Sequence, residues 1–203
     1  MVRLALVRHG QTDWNLAGRV QGSSDIELND TGRSQATDAG HVLAQRGYRW
    51  SVLMSSGLLR ARETAERIGT VIGLDYAGAL PAFAERRYGQ AEGLLSEQIR
   101  ARFGAIDRAP GIEPRDAVIE RAFRAALELG AEYPAGTGII VVSHGGVIGS
   151  LIRHLSDWNL PAPGDYIRNG GVYEFESDGS SLTLVSYPND PDAIEGMPLS
   201  RTL

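Results

Sequence analysis

The sequence predicts an α/β fold: a three-layer sandwich with a mostly parallel central sheet and a C-terminal antiparallel hairpin. Three observations predict it. Two continuous apolar runs, Leu4–Val7 and Ile139–Val142, each lead within two residues to His-Gly, and such runs read as strands covered on both faces. Between them, amphipathic helical patterns alternate with a further strand-like run at Val52–Ser56. Near the C-terminus, Val172–Glu176 and Leu182–Tyr187 flank Ser177-Asp178-Gly179-Ser180-Ser181, the pattern of a hairpin.

In chain order, the first strand is followed by Thr12–Asp30, rich in Asn, Gly, Ser and Asp and expected to be a long loop. Thr31–Arg46 reads as a helix, with Ala36, Ala39 and Leu43 on one face and Gly47 as its stop. After the Val52–Ser56 strand, Leu58, Ala61, Ala65, Ile68 and Ile72 recur at three and four residues, giving an amphipathic helix closed by Gly73. Leu80–Pro110 is less regular and is expected to mix a loop with short helices. Pro114 suits the first residue of a helix running to about Leu129. The second strand–His–Gly unit leads into a helix over Val147–Leu155. The tail from Pro188 is proline-rich and expected to be irregular. No repeat, low-complexity block or linker interrupts the pattern, so residues 1–203 are expected to form a single domain.

Of the 203 residues, 42% are hydrophobic and 22% charged, the balance of an ordinary soluble globular protein. A net charge of −5 gives nucleic-acid binding no electrostatic support. No run has the length to span a bilayer, and the N-terminus lacks a signal-peptide pattern. A cytoplasmic protein without a membrane partner is therefore expected. Cysteine is absent, which excludes disulfides, thiolate metal sites and cysteine nucleophiles. Lysine is absent too, since all 20 basic residues are arginine, and this removes Schiff-base chemistry and the P-loop lysine. Fixed positive charge in a site must then come from arginine, which is suited to a bidentate grip on phosphate or carboxylate.

Ligands of open α/β sheets bind beyond the carboxyl ends of the strands. That edge is where His9 and His144, two of only four histidines, are expected. In Arg8-His9-Gly10 the glycine permits a sharp turn close to a ligand, a neutral imidazole can attack phosphorus, and the arginine can neutralise the oxygens. Taken alone, the tripeptide reads better as a capped strand end with a solvated Arg-His pair.

The longer stretch Leu6-Val7-Arg8-His9-Gly10-Gln11-Thr12-Asp13-Trp14-Asn15 resembles the opening motif of the histidine phosphatase superfamily, which includes the phosphoglycerate mutases. Four further blocks resemble that family in chain order. They are Arg19-Val20-Gln21-Gly22 with Asp25, Leu28, Gly32 and Gln35-Ala36; Ser55 to Ala65, containing Arg60; Glu85-Arg86-Arg87-Tyr88-Gly89-Gln90-Ala91-Glu92-Gly93; and Ser143-His144-Gly145-Gly146. The resemblance implies that His9 takes up the phosphoryl group and that Arg8, Arg60 and His144 hold its oxygens. It implies Glu85 as general acid and base, Asn15 and Gln21 as further phosphate contacts, and Arg86, Arg87 and Tyr88 as substrate contacts. It also implies a small phosphorylated substrate, with no metal and no organic cofactor. The chemistry is consistent, because phosphoryl transfer asks for positioning and positive charge around three oxygens and for a proton at the departing one.

Each assignment has a structural rival. Helical periodicity puts Arg60 on the polar side of its helix, as a solvated charge. Glu85 has Arg86 and Arg87 as neighbouring ion-pair partners, and Asn15 suits a turn. His41 and His154 fall within helices away from strand ends. Glu92 and Glu113 are expected to be structural, and Trp14 to pack. The chain also departs from the family, with Gly111-Ile112-Glu113-Pro114 where many phosphatase members carry Gly-Gly-Glu-Ser. Mutase members have a longer, more basic insert before the last histidine, although Glu85-Arg86-Arg87-Tyr88-Gly89 does resemble the mutase version. The reading is a metal-independent phosphomonoesterase of the phosphatase branch. Its alternatives are a cofactor-dependent phosphoglycerate mutase and a catalytically weak phospho-ligand binding module.

Overall fold

In a computed structural model describing residues 1–187 and the backbone of Ser200–Thr202, seven strands form one sheet. They are β1 (Val2–Arg8), β2 (Trp50–Ser55), β3 (Gly78–Ala79), β4 (Gly138–Ser143), β5 (Val172–Ser177), β6 (Ser181–Ser186) and β7 (Ser200–Thr202). Their order is β3-β2-β4-β1-β5-β6-β7. The first four in that order run parallel, and β5, β6 and β7 are each antiparallel to the preceding strand.

Helices cover both faces, which is why the central strands are apolar without alternation. In β1, Leu4 and Leu6 pack against α5 (Arg115–Glu132) and α6 (Gly145–Leu155), whereas Ala5 and Val7 face α2 (Asp30–Gln45) and α3 (Leu59–Ile72). In β4, Ile139 and Val141 share the first side, and Ile140 and Val142 the second. This is the two-residue period of a strand, with every side chain buried. Each fully buried aliphatic contributes about 1.5–3 kcal/mol, so this double core fixes the register of β1 on β4.

Local signals end the helices where expected. Asn29 caps α2 by accepting from the Gly32 N–H at 2.9 Å, and Gly73 closes α3 in the left-handed region at φ 69°. Pro114 stands one residue ahead of α5. The Thr12–Asp30 loop differs from expectation by holding a one-turn helix, α1 (Asp13–Leu16). Thr12 and Asn15 form a reciprocal capping box there. The irregular Leu80–Pro110 segment contains α4 (Ser96–Phe103) and three short 3₁₀ turns. Of the tail expected to be irregular, residues 188–199 and 203 lie outside the described residues, and Ser200–Thr202 extend the sheet. Among the described residues, no helix is long and apolar enough to cross a membrane.

Candidate active site

The β1–β4 register pairs Arg8 with Ser143, so the next residue on each strand is a histidine. The His9 N–H donates to the Ser143 carbonyl at 3.0 Å, and the imidazole centroids of His9 and His144 lie 5.1 Å apart. From β1 the chain turns to α2 on one face of the sheet, and from β4 to α6 on the other. A crevice opens at this reversal, as it does in other open α/β sheets.

Backbone packing holds the first turn. A side chain on Gly10 would overlap the Gly32 carbonyl, so the start of α2 lies directly on the His9-Gly10 peptide. The Gly10 N–H donates to Thr64 Oγ1 at 3.1 Å, and the Asn169 amide donates to the His9 carbonyl at 2.8 Å. The His9 ring follows from this frame. Its Nδ1 lies 2.7 Å from the Gly10 carbonyl, which places the proton on Nδ1 and the lone pair on Nε2. Burial holds the His9 pKa well below 6.5, and the charges of Arg60 and Arg8 depress it further. His9 is therefore a neutral imidazole that lines the crevice, with its lone pair on Nε2.

Arg60 is fully buried, contrary to the polar helix face that periodicity assigns it. Its Nε donates to His9 Nε2 at 3.2 Å, while Nη1 and Nη2 donate to the carbonyls of Ser24 and Gly22, each at 2.8 Å. Backbone oxygens from a loop far away in sequence thus replace water around the guanidinium. The same loop is held from its other side by Glu92, which accepts from the backbone N–H and hydroxyl of both Ser23 and Ser24. Burial would raise the Glu92 pKa, but these hydrogen bonds and one from the Tyr88 N–H bring it below the ordinary value. Asp25 completes the loop by capping α3 through the Leu59 N–H at 2.7 Å. Arg8 Nη1 donates to the Ile167 carbonyl, whereas its buried Nε has no partner. Burial lowers the Arg8 pKa, offset in part by the nearby Glu85.

Glu85 faces His9 across the crevice from the loop after β3. It forms no ion pair with Arg86 or Arg87; instead Oε1 accepts from the Arg86 N–H at 2.8 Å and Oε2 from the Gly146 N–H at 3.2 Å. A side chain at Gly146 would displace the Glu85 carboxylate, so the glycine leaves that carboxylate its place. Asn15 and Gln21 also line the cavity, which measures about 400 Å3. Asn15 Oδ1 is occupied by Thr12 and Asn169, and the buried Oε1 of Gln21 has no partner. Tyr88 lies beside Glu85, and burial together with that carboxylate raises its pKa.

Three of the expected contacts are not among the residues lining the cavity. Arg86 is buried away from the cavity, its Nε donating to the Glu113 carbonyl at 2.7 Å and its Nη2 to Asp107 at 2.8 Å. Arg87 is exposed and points outside the cavity. His144 is fully buried behind His9, with Nε2 2.7 Å from Ser56 Oγ and Nδ1 without a partner. Burial holds the His144 pKa well below 6.5, with Arg60 and His9 adding to the effect. It is therefore a neutral imidazole. Glu113 is structural, paired with Arg121 at 2.9 Å. His41 is exposed on α2, and His154 packs edge-on against Phe123, both away from the cavity.

The cavity also holds Arg19, from the second family-like block, and residues that the motifs do not mark: Arg115, Arg153, Asp165 and Tyr166. Arg153 had a readable signal, because Gly146, Ser150 and Arg153 form one face of an otherwise apolar helix. Among the described residues, no cluster of His, Asp or Glu could hold a metal ion.

A neutral imidazole at a strand end, flanked by two buried guanidinium groups and faced by a carboxylate, defines an enzyme of phosphoryl transfer. The chain belongs to the histidine phosphatase superfamily (branch 1), whose family model matches residues 4–190. It is 34% identical to the uncharacterized phosphatase PhoE of Bacillus subtilis over 77% of this chain and 78% of that protein. It is 37% identical to a probable phosphoglycerate mutase, GpmB, of Photorhabdus laumondii over 94% of this chain and 87% of that protein. Its fold is similar to a mycobacterial glucosyl-3-phosphoglycerate phosphatase solved with VO3, with TM-score 0.75 and 31% identity over 90% of this chain and 96% of the other.

Proposed function

We propose that this chain hydrolyses small phosphomonoesters through a phosphohistidine at His9. The observation that carries the reading is the His9 ring itself, with Nδ1 tied to Gly10 and Nε2 left as the nucleophile beside Arg60. Nε2 attacks phosphorus, an N–P bond forms, and the bond to the alcohol oxygen breaks. The Glu85 carboxyl gives its proton to that oxygen. Water then attacks phosphorus and gives a proton to the Glu85 carboxylate, the N–P bond breaks, and inorganic phosphate leaves. Arg8 and Arg60 hold the charge that stays on the phosphoryl oxygens in both steps.

Hydrolysis rather than transfer back to an organic acceptor is supported by the wet rim. Arg19 and Tyr166 both line the cavity and are exposed, so water reaches the phosphoenzyme. In the stretch that resembles the mutase version, Arg86 is engaged by Glu113 and Asp107 and Arg87 does not line the cavity.

One experiment tests both points. Brief incubation with labelled 3-phosphoglycerate or an aryl phosphate, followed by alkaline quench, should leave acid-labile label on the protein. His9→Ala should abolish label and turnover, and the wild type should release the label as free phosphate. Unimpaired turnover in His9→Ala overturns the mechanism. Conversion to 2-phosphoglycerate faster than phosphate release, stimulated by 2,3-bisphosphoglycerate, overturns the hydrolase reading.

A further inference from the structure

The phosphoryl group is accounted for by Arg8 and Arg60, yet Arg19, Arg115 and Arg153 face the same cavity. Five guanidinium groups stand against two carboxylates, Glu85 and Asp165, on a chain whose net charge is −5. Arg19 is an exposed rim residue whose Nη1 donates to the Gly93 carbonyl at 2.7 Å. Arg115 and Arg153 are different. Both are half-buried, one opening α5 and the other on the Gly146–Ser150 face of α6.

Neither forms an ion pair among the described residues. The polar contact of the Arg115 guanidinium is a 3.4 Å approach to Ser150 Oγ, a hydroxyl already committed to the Gly146 carbonyl. Burial lowers the Arg153 pKa and the Arg115 charge lowers it further, opposed only by Tyr187 and Tyr88 and by no carboxylate. Two partly desolvated like charges held together without a counter-ion carry a free-energy cost. Outside the cavity, part-buried arginines are paired with carboxylates, Arg33 with Glu63, Arg86 with Asp107 and Arg121 with Glu113. At this end of the cavity the counter-charge is left for a ligand to bring.

We infer that Arg115 and Arg153 form a second anion site, and that the substrate is a phosphomonoester carrying a further anionic group on the same molecule. The inference rests on the phosphomonoesterase reading of the cavity and names its substrate class. A volume of about 400 Å3 falls within the roughly 300–1,000 Å3 of small-molecule sites and suits a metabolite with two anionic ends. Guanidinium groups grip carboxylate and phosphate alike, so the second group is one of these.

The test uses probes that cannot turn over. Calorimetric titration compares ω-phosphonoalkanoates of increasing chain length, and alkylene bisphosphonates of the same spacing, with alkylphosphonates of matched length. At one spacing the wild type should bind a doubly anionic probe at least about tenfold more tightly than its singly anionic match. Whichever of the two series shows this preference identifies the second group as carboxylate or phosphate. Arg115→Gln and Arg153→Gln should lose the preference while binding alkylphosphonate as the wild type does, and Arg153→Lys should keep most of it. Equal binding of both probe classes by the wild type overturns the inference, as does a preference that survives both glutamine substitutions. Failure of the phosphatase reading looks different: no release of phosphate from an aryl phosphate, with the binding preference intact.

Discussion

Arg60 Nε donates to His9 Nε2 at 3.2 Å, so in the proposed mechanism the lone pair that attacks phosphorus is held by the residue that neutralises phosphorus-bound oxygen. The hydrogen bond keeps the nitrogen aligned and unprotonated. When a phosphoryl group arrives, the same N–H turns to an oxygen that carries more charge than the imidazole nitrogen does, and the nucleophile is released.

Arg60→Lys follows from this. A lysine keeps the charge but cannot reach His9, Gly22 and Ser24 together. The expected loss in kcat/KM for an aryl phosphate is roughly 10²–10³-fold, the scale of removing one oriented donor from a developing charge. The measurement is steady-state kinetics beside a thermal melt. A loss below about threefold would mean that Arg8 alone carries the charge.

Glu85→Gln separates leaving groups. An acid matters most when the departing oxygen is basic, so the amide should slow alkyl phosphates far more than an aryl phosphate with an acidic phenol. Arg86 and Gly146 donate to different oxygens of the carboxylate, so the amide oxygen can keep only one of the two hydrogen bonds, and a thermal melt of the variant belongs beside the kinetics. Equal slowing on both substrates would remove Glu85 from the acid role.

The two central histidines tie stability to pH. Burial depresses the folded-state pKa of both His9 and His144 below 6.5. Above pH 6.5 both are neutral whether the chain is folded or not, and their contribution is fully present. As pH falls below 6.5 the unfolded chain takes up protons that the folded one refuses, so stability drops, by up to about 1.4 kcal/mol per pH unit for each histidine. Denaturation from pH 6.5 to about one unit lower should show a steeper loss in the wild type than in His144→Gln. Equal slopes would mean that His144 is already charged when folded.

Much of this was legible because the signals are local. The two His-Gly strand ends and their apolar runs determined the parallel core, and the register of Arg8 on Ser143 then brought the histidines together. The residues that escaped reading owe their positions to distant parts of the chain. Arg60 sits by periodicity on a polar helix face, and only the carbonyls of Gly22 and Ser24 make its burial tolerable. Arg86 is next to Glu85 in sequence, yet Glu113 and Asp107 draw its side chain away from the cavity. Arg153 is marked by the polar face of α6, but no helical pattern brings it together with Arg115 of α5 in one cavity. The α1 turn was missed for a nearer reason, because its capping box uses asparagine where glutamate or glutamine is the usual signal.

The β1–β4 register described above makes the hydrophobic core the gauge of the catalytic spacing. A strand advances about 3.3 Å per residue and alternates its faces. Deleting a single residue from Ile139–Val142 would therefore do more than loosen packing. It would carry His144 away from His9 and turn its imidazole to the other side of the sheet. Substitutions deep in β4, remote from any phosphate, are for that reason changes to the active site, transmitted as displacement rather than as lost contacts.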